Sequence, residues 1–227
     1  MSAIRSAATV VLLRECGGRM EVLLLRRNDA VQFAGGLWVF PGGAIDPDDF
    51  AGDADDIMSA ARRAAIREAH EETGLDISEC ALQFFAHWTT PEGSIKRYAT
   101  WFFVAALANG EADVVIDGSE IVAHRWIDPH EAIALHRASG LHMMPPTFIT
   151  LTELADCHSV IDVEAMYRDR PVIEILPRFV AHESSRVALY PHDSGYESGD
   201  AKVQGRKHRC YRGEDGWHYE CDLFDKK

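Results

Sequence analysis

The 227-residue chain has no C-x-x-C pair, no hydrophobic run long enough to cross a bilayer and no internal repeat. Its five cysteines, Cys16, Cys80, Cys157, Cys210 and Cys221, are odd in number and scattered. That pattern argues against a disulfide framework or a thiolate zinc site. Cys210 and Cys221 are expected to face each other across a terminal hairpin as free thiols. The apolar run at residues 7–13 is too short for a membrane span and leads into Arg14-Glu15 instead of a small-residue cleavage site, so it reads as a strand. Basic residues are outnumbered, 23 Lys+Arg against 36 Asp+Glu, giving a formal net charge of -13. An acidic surface of this kind repels a nucleic-acid backbone. The short basic stretch Lys202, Arg206, Lys207, Arg209 does not reverse that balance and reads as a solvated loop. The expectation is a cytoplasmic protein without nucleic-acid or membrane partners. Homodimerisation stays open, because the sequence marks no interface.

What is present describes one globular domain with mixed α and β elements. Residues 9–13 and 20–26 are β-branched or leucine-rich and flank Cys16-Gly17-Gly18-Arg19, a hairpin signal. Leu37-Trp38-Val39-Phe40 then ends at Pro41-Gly42-Gly43, where the chain must turn. From about Asp55 to Thr73 an alanine-rich stretch with Asp and Ser at its start and Gly74 beyond its end predicts a helix. Residues 82–89, 97–107 and 121–127 read as strands, and a helix opens near Pro129. Helices are expected at 147–155 and 160–168, and a last hairpin at 211–219. Residues 1–140 form the expected core, and 141–227 a helical and hairpin extension packed on the same domain.

The helix carries the chemistry. At about 100° per residue, Glu68, Glu71 and Glu72 fall within one arc of roughly 100°. Like charges at these spacings repel, and acids near a helix C-terminus oppose its dipole, so a cation is needed to offset them. Ile57, Ala61 and Ala65 share the side of Glu68 and Glu72, which turns those acids toward a cleft instead of bulk solvent. Clustered hard oxygen donors suit Mg²⁺ or Mn²⁺, which keep several waters and share phosphate oxygens with a substrate. Such an ion can neutralise phosphate charge and activate water for in-line attack on phosphorus.

Gly43 together with Arg67-Glu68-Ala69-His70-Glu71-Glu72-Thr73-Gly74-Leu75 resembles the Nudix box, G-x5-E-x7-R-E-U-x-E-E-x-G-U. The second half agrees at each charged position, with Ala69 a small occupant of the apolar U position. In the first half, Asp49 stands where the box has Glu, and 17 residues instead of seven separate it from Arg67, an insertion of ten. Neither Asp46 nor Asp49 is assigned a role. The resemblance implies an α/β/α sandwich around a mixed sheet, with the box helix on one face and the helix near 129–138 on the other. It implies Glu68, Glu71 and Glu72 as metal ligands, Glu71 also as general base, Arg67 as the residue orienting a glutamate, and the Gly42 carbonyl as a further ligand. Glu120 is the alternative base, from a distal loop.

Phe-Pro-Gly-Gly at residues 40–43, the insertion, and Thr90-Pro91 to Arg97-Tyr98-Ala99-Thr100 are similar to the peroxisomal coenzyme A diphosphatase branch of the Nudix superfamily. That branch implies cleavage of coenzyme A or acyl-coenzyme A to 3′,5′-ADP and (acyl-)phosphopantetheine. Arg26, Arg27, Gly43 and Arg97 are the implied substrate-binding residues. Met143, Met144, Pro145, Pro146 and Phe148 offer either an apolar groove for an acyl arm or core packing. ADP-ribose, NADH, NDP-sugars and dinucleoside polyphosphates remain alternative substrates, and a non-catalytic nucleotide-binding module is the alternative of another class.

Overall fold

Residues 7–13 form the middle of a 13-residue strand, Ile4–Cys16 (β1), around which the sheet is built. In the computed structural model, which describes residues 3–31, 33–50, 56–107, 113–182 and 185–224, β1 pairs antiparallel with Arg19–Arg27 (β2) and Gly42–Ala44 (β4). It pairs parallel with Arg97–Ala106 (β6). Trp38–Val39 (β3) and Ile121–Ile127 (β7) join β2, Gln83–Thr89 (β5) joins β6, and Ile173–Ile175 (β8) adds in parallel to β5. Among the described residues this sheet has eight strands and is mixed.

Strand alternation decides which residues meet which helix. Ala8, Val10 and Leu12 of β1 and Leu23 and Leu25 of β2 face Ile57–Thr73 (α1). Val11, Leu13, Val22 and Leu24 face the opposite side. There they pack with Pro129–Arg137 (α2), Pro145–Ala155 (α3) and Val160–Asp169 (α4) through Ala132, Phe148, Leu151 and Val163. A fully buried leucine in either layer contributes about 1.5–3 kcal/mol. The helices therefore cover both faces, as an α/β/α sandwich requires. Met143 and Phe148 are buried in the second layer, and Met144 is partly exposed, so this stretch packs into the core. No helix among the described residues is long and apolar enough to cross a membrane.

Helix α1 opens at Asp56, whose side chain accepts from Ser59 N at 3.0 Å, and closes at Gly74 in the left-handed conformation, φ 71°, donating to His70 O. Asp55 lies outside the described residues. Ala60, Ala61, Ala64, Ala65 and Ala69 are wholly buried against the sheet. Their single methyls let the helix lie close to the strands, which brings its acids down onto β4.

The C-terminal region differs from the sequence reading in three respects. A four-stranded antiparallel sheet replaces a lone hairpin: Arg178–His182 (β9), Ser185–Leu189 (β10), His208–Gly213 (β11) and Gly216–Cys221 (β12), in the order β12-β11-β10-β9. Strands β8 to β10 are three to five residues long and partly exposed, too short to show a clear period. Cys210 faces Tyr219, and Cys221 faces His208, so the two cysteines do not oppose each other. Arg209 is buried, not solvated, because Asp193 stands opposite its guanidinium.

That pair is closed on itself. Asp193 accepts from Arg209 Nε at 2.7 Å and Nη2 at 2.6 Å, from His208 N at 2.9 Å and from Gly195 N at 2.8 Å, while Arg209 Nη1 donates to Ala201 O at 2.7 Å. Burial pushes the Asp193 carboxyl up, but the guanidinium and the backbone N–H groups outweigh it and hold it below its ordinary value of 3.8. Its stabilising contribution is thus fully present above that value and is lost as pH falls through the lowered folded pKa. Asp193→Ala strands the Arg209 charge and is expected to cost about 3–5 kcal/mol. Chemical denaturation from pH 7 down to pH 3 checks both points, with the variant losing the part of the acid dependence that Asp193 contributes.

Candidate active site

The closeness of α1 to β4 is set by two glycines. A Cβ on Gly43 would lie 2.4 Å from Glu68 Oε1, inside any real contact. Gly42 N donates to Glu72 Oε2 at 3.0 Å. Thr9 of β1 donates its hydroxyl to Pro41 O at 2.6 Å and fixes the turn that presents these glycines. A strand backbone and two helix carboxylates therefore meet with nothing between them.

Arg67 organises the acids. Its Nη1 donates to Glu68 Oε1 at 2.8 Å and Glu71 Oε2 at 3.2 Å, and its Nη2 to Ala44 O at 3.0 Å and Asp49 Oδ2 at 3.0 Å. Nε reaches Asp49 Oδ1 at 3.3 Å, and Asp46 lies 3.7 Å from Nη2. These partners raise the guanidinium pKa further, Asp49 foremost. Arg63 donates to the Asp49 carbonyl as well. Asp49, only 5% exposed, thus faces Arg67 from the other end of the insertion, of which residues 51–55 lie outside the described set. Burial raises the Asp49 carboxyl, but Arg67 and the Asp46 N–H prevail and hold it low. Asp49 is a residue the sequence reading left unassigned, although its place with five residues between it and Gly43 was the available signal.

The three box glutamates stand in different surroundings. Glu71 is more than half exposed. Glu68 is largely buried, and that burial raises its pKa against the pull of Arg67. Glu72 is 8% exposed, and burial, added to by the Glu68 charge, pushes its carboxyl up to about 8 against the Gly42 N–H and Arg27. Among the described residues no three His, Cys, Asp or Glu side chains form a ready metal-holding group. The reason is visible in the contacts: Arg67 draws Glu68 and Glu71 toward itself while Glu72 turns to Gly42.

Arg27 and Glu120 face each other as an ion pair, and the charges of both are felt at Glu72. The turn holding Glu120 is fixed by Asp117, which accepts from Glu120 N and Ile121 N at 2.9 Å and from the Ser119 hydroxyl. These bonds lower the Asp117 carboxyl to about 2, the Glu120 N–H foremost. Asn28 N donates to Glu120 O at 2.8 Å, tying this turn to the end of β2. Asp117 carried no sequence signal beyond its neighbourhood. Arg26 turns to Asp29 at 2.9 Å. Arg97 stands apart: it pairs with Ile4, four residues along β1 from the Ala8 and Gly43 pairing, about 13 Å at strand spacing, and its Nε is bonded to Thr90 O.

The NUDIX domain family model matches residues 3–145. Acyl-coenzyme A diphosphatase NUDT19 of Gallus gallus is 32% identical over 134 residues, covering 56% of this chain and 35% of that protein. The Homo sapiens protein of the same name is 28% identical over 202 residues, covering 84% and 52%. The chain therefore spans roughly a third to a half of the length of these two relatives. Among solved structures, a NUDIX hydrolase from Alicyclobacillus acidocaldarius superposes with a TM-score of 0.64 at 22% identity, over 76% of this chain and 99% of that one, a likeness of fold. Matched over more than half its length, and with box glycine, arginine and glutamates in mutual contact, the chain belongs to the Nudix family.

Proposed function

We propose that the protein hydrolyses a phosphoanhydride bond in a nucleoside diphosphate-linked substrate, with Mg²⁺ or Mn²⁺ as cofactor. The observation that carries this is the pair Glu68 and Glu72 held against the β4 backbone, Glu68 largely buried and Glu72 buried with, among the described residues, no cationic side chain bonded to it. An acid so placed that burial lifts it to about 8 is a poor structural element and a good ligand for a hard cation. Glu68 and Glu72, with Glu71 and the Gly42 carbonyl, would hold the ion. When bound, the ion supplies charge neutralisation on the phosphates and a more acidic water.

The protein's own groups do the rest. Arg67, anchored by Asp49 and Ala44 O, sets the position of Glu68 and Glu71. Glu71, exposed at the mouth of the cluster, accepts the proton of the attacking water. Glu120 is the second carboxylate on hand, and Arg27, with Arg26 beside it on β2, binds the diphosphate. Gly43, lacking a side chain, lets Glu68 lie directly on the turn, and its backbone is the proposed contact to the substrate there. The distance of Arg97 from the glutamates fits a contact to a remote part of the substrate better than one to the scissile phosphates.

For the substrate, we favour coenzyme A or acyl-coenzyme A, cleaved to 3′,5′-ADP and (acyl-)phosphopantetheine. The support is the name of the relatives, acyl-coenzyme A diphosphatase, together with the segments at residues 40–43 and 90–100. A cytoplasmic enzyme acting on a small molecule, without nucleic acid or membrane partners, is the accompanying proposal.

Product analysis by mass spectrometry, with Mg²⁺ or Mn²⁺ and a panel of coenzyme A species, ADP-ribose, NADH, NDP-sugars and dinucleoside polyphosphates, tests the reading. Release of 3′,5′-ADP is expected. Preferential cleavage of another compound removes the coenzyme A assignment, and nucleotide binding without cleavage of anything favours a binding module. Glu72→Gln is expected to abolish turnover, and Glu71→Gln to lower kcat by about 10²–10⁴-fold. If Glu120→Gln shows the larger loss, the proton acceptor is Glu120. Asp49→Asn frees Arg67 without touching substrate, and steady-state kinetics are expected to show kcat/KM reduced by about 10–100-fold.

A further inference from the structure

The loop at residues 28–37 joins the arginines of β2 to β3 and the glycine turn, and it is wound tightly. Gly36 N donates to Arg27 O and Leu37 N to Ala34 O, each at 3.1 Å. Arg26 holds the Asp29 carboxylate at 2.9 Å. A Cβ on Gly35 would lie 2.5 Å from Val31 O, and one on Gly36 2.4 Å from Asp29 Oδ1. Ala34 takes the left-handed conformation, φ 54°, which strains a residue that carries a Cβ. Strain of this kind is kept where the fold holds a side chain in a set place. Here that side chain is Phe33, whose ring lies 5.2 Å from the Tyr98 ring on β6, the planes tilted by 54°. Both residues are partly exposed, and neither belongs to the apolar clusters of the two sheet faces or of the second sheet.

Strand register sets this pair beside the glycine turn. Tyr98 pairs with Arg5 of β1, three residues from Ala8, the partner of Gly43, which is about 10 Å along the strand. Alternation puts Tyr98 on the sheet face of Phe102 and Val104. Thr9, which pairs with Phe102 and holds the Pro41 carbonyl, is on that same face. Glu68 and Glu72 meet the glycines from the α1 side. A diphosphate on the glycine backbone would thus have carboxylates on one side and, within reach of an attached nucleoside, two aromatic rings on the other.

The surroundings of the rings say what they take. An alkyl arm needs an aliphatic wall, and the neighbours of Phe33 on its C-terminal side are Ala34, Gly35 and Gly36, which supply none. Rings tilted against each other keep a face free for a flat heterocycle, and every nucleobase presents such a face. We infer that Phe33 and Tyr98 form the nucleobase platform of the substrate site, which stacks a purine or pyrimidine ring while the arginines at the foot of the loop hold the diphosphate. The inference rests on the proposed phosphoanhydride substrate and adds what holds its nucleoside end.

Uncleavable ligands separate the platform from the rest of the site. In the full chain with Mg²⁺, isothermal titration calorimetry compares α,β-methylene-ADP with methylenediphosphonate, which lacks the nucleoside. Phe33→Leu and Tyr98→Leu are expected to weaken binding of the first about 10-fold or more and to leave the second unchanged. Phe33→Tyr and Tyr98→Phe, which keep a ring, are expected to bind both as the parent chain does. Equal weakening of both ligands, no weakening of either, or an equal loss in the ring-preserving variants overturns the inference. Should the leucine variants bind α,β-methylene-ADP unchanged while the parent chain still cleaves a phosphoanhydride, only the platform is lost. A parent chain that binds neither ligand and cleaves nothing removes the proposed function, and the platform with it.

Discussion

A guanidinium is planar, permanently charged and carries five N–H donors, so it can hold several acceptors in fixed relative positions. Arg67 uses this capacity in full view of the glutamates: the Ala44 carbonyl and the Asp49 carboxylate on one side, Glu68 and Glu71 on the other. Without that charge the loop from Gly43 to Asp49 would lose most of its ties to α1, keeping the Arg63 bond to the Asp49 carbonyl, and the acids of the last helical turns would repel one another and the helix dipole. With it, the loop glycines press on Glu68 and Glu72, and the buried pair exists at all. The alanine face of α1 serves the same end from the opposite direction, by letting the helix lie close enough for a strand amide to reach a helix side chain.

The elements of the core were legible because their periods are long and clean. Residues 121–127 match β7, and the alanine-rich stretch ending at Gly74 matches α1, since start and stop residues coincide with the ends of the apolar stripe. Helices α2, α3 and α4 were legible through Pro129, Pro145-Pro146 and a short apolar repeat. Strands β8, β9 and β10 were not, since three to five partly exposed residues leave no period to detect, and their pairing depends on contacts distant in sequence. The same limit explains Asp49 and Arg209. Whether a charged residue faces solvent or a counter-charge is decided by what the fold sets opposite it, Arg67 for the first and Asp193 for the second. Arg67, Glu71 and Glu72 were readable as a set, and the apolar stripe put Glu72 on the packed side; that Glu71 stands more than half exposed was not readable.

The two arginine centres solve different problems. Arg209 and Asp193 are almost sealed from solvent, and the four bonds to the carboxylate leave it no reason to rearrange. Arg67 keeps 28% of its side chain exposed and divides itself among acids of unequal burial. A sealed pair holds a sheet in place. A shared, half-open one lets individual carboxylates be drawn away when another cation competes for them, with Asp49 and Ala44 still holding the arginine.

Strand β8 shows how far the C-terminal residues are woven into the sheet. Ile173, Glu174 and Ile175 lie parallel to Ala86, His87 and Trp88, covering the edge that β5 would otherwise present. An open strand edge is a template for a second chain. Shortening the protein to its box-bearing half would bare that edge and the apolar surface beneath α3 and α4, so self-association, more than lost activity, would be the first sign that the two halves had been separated.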